Sequence, residues 1–216
     1  MKSTIMLLAI VGFVLTGCVV GNKIDYTSAQ LSVKYPGTTK LAFGIQDKRT
    51  YIVTKNKDDN FVGVYRGGFG NPFNVTTSSK KSLSEDIAVV VSRVLNIEGA
   101  HASPIIFDGS TSDEEISRTM KNNSTPKALV ITINEWKSDS TNSFAHRVTN
   151  FDFNLVAVTY DHNGIQLAKK VVKGTEQVSG GAFAGFSYVE SAAPNVLKSK
   201  LEELLSGDIS SAINSN

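Results

Sequence analysis

The sequence holds a single cysteine, Cys18, which excludes an internal disulfide from any fold the chain adopts. A domain built from it must be held by buried apolar surface, and 216 residues are ample for one hydrophobic core. The position of Cys18 is as restrictive as its solitude. Ahead of it, Ile5 to Leu15 is an apolar run broken only by Gly12, and Lys2 precedes that run. Such a stretch is too short for a spanning helix, which needs about 20 residues. It suits the h-region of a secretory signal, about 7–15 residues behind a positive n-region.

Leu15-Thr16-Gly17-Cys18 resembles the lipobox of bacterial lipoproteins. The resemblance implies that residues 1–17 are removed as a signal peptide and that the Cys18 thiol carries lipid. One acyl chain gives only marginal membrane binding, about 10⁴ M⁻¹, whereas two or more make it stable. Val19 rather than Asp follows Cys18. In Gram-negative lipoproteins that choice favours the outer membrane, facing the periplasm.

Charge narrows the partners. With 22 basic and 20 acidic residues, the chain has no basic stripe for nucleic acid and no acidic tail. Past the leader, no apolar stretch is long enough to span a membrane. Residues 18–37 show weak periodicity and end in Pro36-Gly37. They read as a lipidated N-terminus and tether, with room for a short strand, ahead of one domain over residues 38–216.

Within that domain, Leu41 to Ile45 reads as a strand closing on Asp47-Lys48-Arg49-Thr50, and Tyr51 to Thr54 as a second strand. Phe61 to Val75 begins strand-like and passes into a glycine-rich loop. Ser82-x-x-Glu85 is a capping box opening a helix from Leu83 to about Ile97, and Ser112-x-x-Glu115 opens a short one to about Asn122. Alternation of Leu129, Ile131 and Ile133, then of Phe151, Phe153, Leu155 and Ala157, marks two strands with one buried face each. Asp161-His162-Asn163-Gly164 is a hairpin turn leading into a return strand from Ile165 to about Val178. A last helix spans about Ala193 to Ile213, with Pro194 in its first turn. Leu197, Leu201, Leu204, Leu205 and Ile209 lie on its apolar stripe, and Lys200 on its polar face. The expected class is α+β: an antiparallel or mixed sheet with a central hairpin meander, packed by two long helices and one short helix.

In this order of features the chain resembles the YajG-like family of bacterial lipoproteins. The shared features are the lipobox, the Asp-x-Arg-Thr motif at Asp47 to Thr50, and a helix ending at Gly99. A Glu-x-x-x-Gly-x-x-Phe stretch (Glu176, Gly180, Phe183) and a C-terminal amphipathic helix follow. The chain departs from the family in its longer glycine-aromatic segment and in the helix after Ser112. The resemblance implies architecture and location, and no catalytic residue.

No constellation in the sequence points to chemistry. His101, His146 and His162 lack metal-ligand spacing, and there is no G-x-S-x-G elbow. Asp113, Glu114 and Glu115 open a helix, where its dipole favours them. Arg66 to Phe73 lacks the Gly-Lys-Ser/Thr of a phosphate loop. Asp47 and Arg49 share a side of the strand end and are expected to pair there. The expected function is therefore non-catalytic: a membrane-anchored periplasmic lipoprotein that binds or supports an envelope protein partner, with no cofactor, metal or nucleic acid. A lipid- or small-molecule-binding module is the alternative, and a cell-envelope hydrolase a more distant one. Two segments rich in glycine and aromatics, Arg66 to Phe73 and Gly180 to Tyr188, stand out as contact surfaces. Burying an aromatic is worth about 1.5–3 kcal/mol, so folding back onto the core competes with exposure. As a contact surface, Phe69, Phe73, Phe183 and Phe186 would face a partner, with Arg66 at the rim.

Overall fold

The structure is a computed structural model that describes residues 21–33, 40–67, 69–97, 103–123, 125–142, 147–181 and 184–215. Cys18, Phe183, His101 and His146 lie outside the described residues. The strands are β1 (Asn22–Ile24), β2 (Leu41–Asp47), β3 (Phe61–Arg66), β4 (Pro72–Thr77), β5 (Pro104–Phe107), β6 (Lys127–Asn142), β7 (Arg147–Asp161) and β8 (Gln166–Gly180). The helices are α1 (Thr50–Val53), α2 (Leu83–Ile97), α3 (Asp113–Lys121), α4 (Ser187–Leu205) and α5 (Asp208–Asn214), with a 3-10 turn at Tyr26–Ser28. This is a mixed α+β architecture around one eight-stranded sheet.

The long strand β6 organises the sheet. One of its edges pairs antiparallel with β7 along nearly its whole length, and β7 pairs in turn with β8. Its other edge is divided between two strands. β2 runs parallel to Lys127–Ile133, and β3 runs parallel to the stretch at Ser138 and Asp139. Beyond β3 lie β4 and then β1, while β5 flanks β2. The ladder shifts register between Ile133 and Glu135, at the handover from β2 to β3.

Arg49 fills that handover. Its guanidinium Nε and one terminal nitrogen clasp the Asp47 carboxylate at 2.7–3.1 Å. The other terminal nitrogen donates to the carbonyls of Phe61 and Trp136 at 2.6 and 3.2 Å. A buried carbonyl left without a donor costs about 1–3 kcal/mol. Pulling Arg49 inward turns the chain. Val53 N–H and Thr54 N–H bond back to Arg49 and Thr50, so Thr50–Val53 is a helical turn, not the strand expected for Tyr51 to Thr54. Local β propensity lost to a tertiary tie.

Most of the apolar surface lies on one face of the sheet, under α2, α4 and α5, in a core that includes Phe43, Ile45, Leu129, Trp136, Leu155 and Leu201. α3 covers part of the other face through Ile116 and Met120, against Ala42, Phe107 and Val130. The capping box at Ser82 forms as expected: Ser82 N–H donates to Glu85 at 3.0 Å and Glu85 N–H to the Ser82 hydroxyl at 3.2 Å. Ser112 caps Glu115 N–H at 3.2 Å.

Three expectations change. The segment after Cys18 is not slack throughout, since Ile24 and Tyr26 are fully buried in the main core. β1 makes it an edge strand of the sheet. The last helix starts earlier, at Ser187, which places Pro194 in its interior, and it stops at Leu205. Gly207, at φ +67 and ψ −124, turns the chain into α5 so that Ile209 and Ile213 can reach the same core. Only glycine takes that backbone conformation readily. Lys200, read as polar-face, packs over the Phe153 ring at 5.0 Å and pairs with Glu176 at 2.8 Å.

Candidate functional site

Two ends of the sheet gather the groups of interest. The first, the rim, is where β3 and β6 end and β7 begins, where β4 starts and where β8 finishes. It unites the two glycine-aromatic segments, which are more than a hundred residues apart in sequence. Tyr65 of β3 meets Phe186 edge-on at 5.2 Å between ring centres.

The expected contact residues divide at this rim. Phe69 is 98 % exposed at the tip of the β3–β4 hairpin, and Phe73 is 39 % exposed beside it. Phe186 is half-buried and packs against the core, so its ring belongs to the rim's foundation rather than to a free surface. Arg66 pairs with Asp139 at 3.3 Å. Arg147 holds its guanidinium over the Tyr65 ring at 5.8 Å and bonds the Tyr65 hydroxyl.

The second site lies at the other end, where β3 begins and β4 leads into α2. Sequence reasoning did not find it, because its walls come from four separate stretches with no shared motif. An open groove of about 840 Å³ runs between the Lys55–Asn60 turn and the Lys80–Glu85 segment, with Ile106 of β5 on its wall. It continues into a smaller hollow of about 450 Å³ toward Val53, Phe107 and Asp108. Lys55, Lys57, Lys80 and Lys81 line the larger part. Val53, in the smaller hollow, and Ile106, on the wall of both, are 42 and 43 % exposed. Lys55 pairs with Asp59 at 3.3 Å and Lys57 bonds Asn74 at 2.9 Å. Asn60, which lines the groove, has a buried side-chain oxygen without a hydrogen-bond partner among the described residues.

The acidic side chains of this part of the molecule serve the fold. The Asp47–Arg49 pair is consumed by the strand handover, and the Tyr51 hydroxyl bridges Glu135 at 2.6 Å and the Trp136 carbonyl at 3.0 Å. Burial holds the Tyr51 phenol above its ordinary range. Asp86, on the first turn of α2, is buried, which pushes its carboxyl up to about 6. Asp113, Glu114 and Glu115 occupy the first turn of α3. Among the described residues, no three His, Cys, Asp or Glu side chains are grouped to hold a metal. No helix there is long and apolar enough to cross a membrane.

No family model matches the chain, and no curated protein does either; the YajG-like resemblance therefore rests on motif order. Solved structures are similar in chain path. Protein XCC0632 of Xanthomonas campestris, assigned to the DUF330 family, shares 12 % identity over 85 % of this chain and 89 % of its own, with a TM-score of 0.47. The PelC dodecamer protein of Paraburkholderia phytofirmans shares 12 % over 88 % and 95 %, with a TM-score of 0.38. Lipoprotein GNA1162 of Neisseria meningitidis shares 11 % over 76 % and 99 %, with a TM-score of 0.27. At these identities and scores the likeness carries no information on ligand or activity.

Proposed function

We propose that this protein is a lipid-anchored lipoprotein of the bacterial envelope, at the outer membrane and facing the periplasm, that binds or supports another envelope component without catalysis. The observation that carries the reading is how close to Cys18 the buried core is reached. Ile24 and Tyr26 are locked into the core, only a few residues past Cys18. A lipid on Cys18 would hold the domain against the membrane surface rather than on a long leash. That arrangement suits a fixed scaffold.

The groove between the Lys55–Asn60 turn and the Lys80–Glu85 segment is then the surface offered away from the membrane. Its lysines, the carboxylates of Asp58, Asp59 and Glu85 beside them, and exposed Val53 and Ile106 fit an extended segment with charges of both signs and small apolar side chains. Such a segment would be held by complementary charge at the border and apolar contact at the centre.

Anchoring and binding are tested separately. Radiolabelled palmitate should enter the wild-type chain and not Cys18→Ser, and the variant should leave the membrane fraction. A wild-type chain that never takes label refutes the anchoring. For binding, a photo-crosslinking residue at Ile106 should trap a discrete envelope partner in cells, and one at exposed His162 should not. Equal, diffuse trapping at both positions refutes the groove.

A further inference from the structure

β1 runs parallel to β4, with Asn22 opposite Val75, and β4 starts at the rim. The direction of β1 is therefore away from the rim. Fully extended, the chain from Cys18 to Asn22 spans at most about 14 Å. The equal stretch of β4, counted back from Val75, ends at Asn71, in the turn that carries Phe69. We propose that the β3–β4 hairpin tip is a second membrane contact, seating Phe69 and Phe73 in the headgroup region of the bilayer that holds the Cys18 lipid. This rests on the anchoring reading above.

The tip is built to point outward. Gly67 N–H donates to the Asn71 carbonyl at 3.0 Å and Gly70 N–H to the Gly67 carbonyl at 2.9 Å. Gly70 takes φ +79, a left-handed conformation that glycine adopts at no steric cost. The turn thus holds Phe69 almost wholly in solvent, although water is the least favourable surrounding for such a side chain. Phe73, opposite Tyr65 in the ladder, extends the apolar surface down one side. At the base of the hairpin Arg66 is paired with Asp139 and Arg147 is held against Tyr65, which leaves a net positive charge behind the aromatics. Apolar side chains entering the interface with cations behind them are the chemistry of surface-bound membrane contacts. A protein partner would satisfy the aromatics too, but the bilayer that takes the Cys18 lipid is the surface already confined to within about 14 Å of Asn22.

The lipidated chain, reconstituted in vesicles of phosphatidylethanolamine and phosphatidylglycerol, tests the proposal. Acylation consumes the Cys18 thiol, so Phe69→Cys and, at the far end of the sheet, His162→Cys each offer one thiol for an environment-sensitive fluorophore. The label at position 69 should shift to the blue and be several-fold less quenched by aqueous iodide than the label at 162. Equal quenching at both positions overturns the proposal, as does shielding at 69 that appears only in native membranes with a protein crosslinked to it. Intact mass on the same sample reports lipid at Cys18, so loss of the anchoring reading is seen apart from loss of the hairpin contact. Should Cys18 carry no lipid, a Cys18→Ser chain with a hexahistidine ahead of residue 18, held on nickel-chelating vesicles, gives the same two readouts. In that chain Phe69→Ala, at a side chain that supports no packing, should leave folding intact.

Discussion

The indole N–H of Trp136 donates to the phenolic oxygen of Tyr26 at 2.9 Å, with the rings edge to face at 5.9 Å and both side chains fully buried. Trp136 lies on β6, the central strand, and Tyr26 directly follows the edge strand β1. The bond staples the N-terminal segment across the main core. Burial holds the Tyr26 phenol well above its ordinary range, so it stays protonated.

Tyr26→Phe keeps the ring and orphans the indole N–H, which should cost about 1–3 kcal/mol. Tyr26→Ala also opens a cavity and should cost about 3–5 kcal/mol. Chemical denaturation measures both. A neutral Tyr26→Ala would mean that the segment does not belong to the folded core.

Arg49→Met should be among the most damaging single changes, at about 3–5 kcal/mol. It strands the Asp47 carboxylate, removes the side-chain donor of the Phe61 carbonyl, and leaves the Trp136 carbonyl only the Tyr51 hydroxyl. Arg49→Lys should rescue little, since one ammonium cannot serve a carboxylate and two carbonyls in different directions. Full rescue by lysine in a melting experiment would show that charge alone matters at the handover.

Asp86 gives a pH dependence. Burial comes first among the causes that push its carboxyl from 3.8 to about 6, with Asp25 and Glu85 adding to it. The native state therefore holds this proton more tightly than the unfolded state. Its contribution to stability falls as pH rises from about 4 to about 6 and is lowest above that window. Asp86→Asn should raise stability at pH 7 by on the order of 3 kcal/mol and lose that advantage below about pH 4. An advantage equal at both pH values would assign the gain to something other than titration.

The C-terminal helices offer a graded set. Leu201, fully buried, should not tolerate Asp, because an unpaired buried charge costs several kcal/mol. Lys200→Asp should cost more than a surface change, as it sets a carboxylate against Glu176 and Glu203. Lys200→Met, which keeps the stem over Phe153, should cost under about 1 kcal/mol. Gly207→Ala should cost about 1–3 kcal/mol through its backbone. Thermal melts would rank the four, and a mild Gly207→Ala would argue against the break between α4 and α5.

At the rim, Phe69→Ala should leave the melting temperature unchanged. Phe186→Ala should lower it by several degrees, since its ring supports Tyr65 and the core. Similar melts for the two would mean that both rings share one environment.

The features legible in the sequence are those closed by bonds between near neighbours. Ser82 with Glu85, Ser112 with Glu115, and the Asp161–Gly164 turn each satisfy their backbone groups within a few residues, so residue type alone specifies them. The alternation along β7 and the leucine stripe of α4 told which face is buried, because burial follows the period of the backbone. Other features depended on partners far along the chain. Thr50–Val53 is helical because Arg49 must reach carbonyls on β3 and β6. Tyr26 is core because Trp136 awaits it, and Gly207 breaks a helix so that Ile209 and Ile213 reach strands already in place. The groove and the rim belong to the same class, since each unites residues from separate strands. A strand's own sequence selects its buried face, but which edge it takes is settled by the competing strands, and only the assembled sheet resolves that competition.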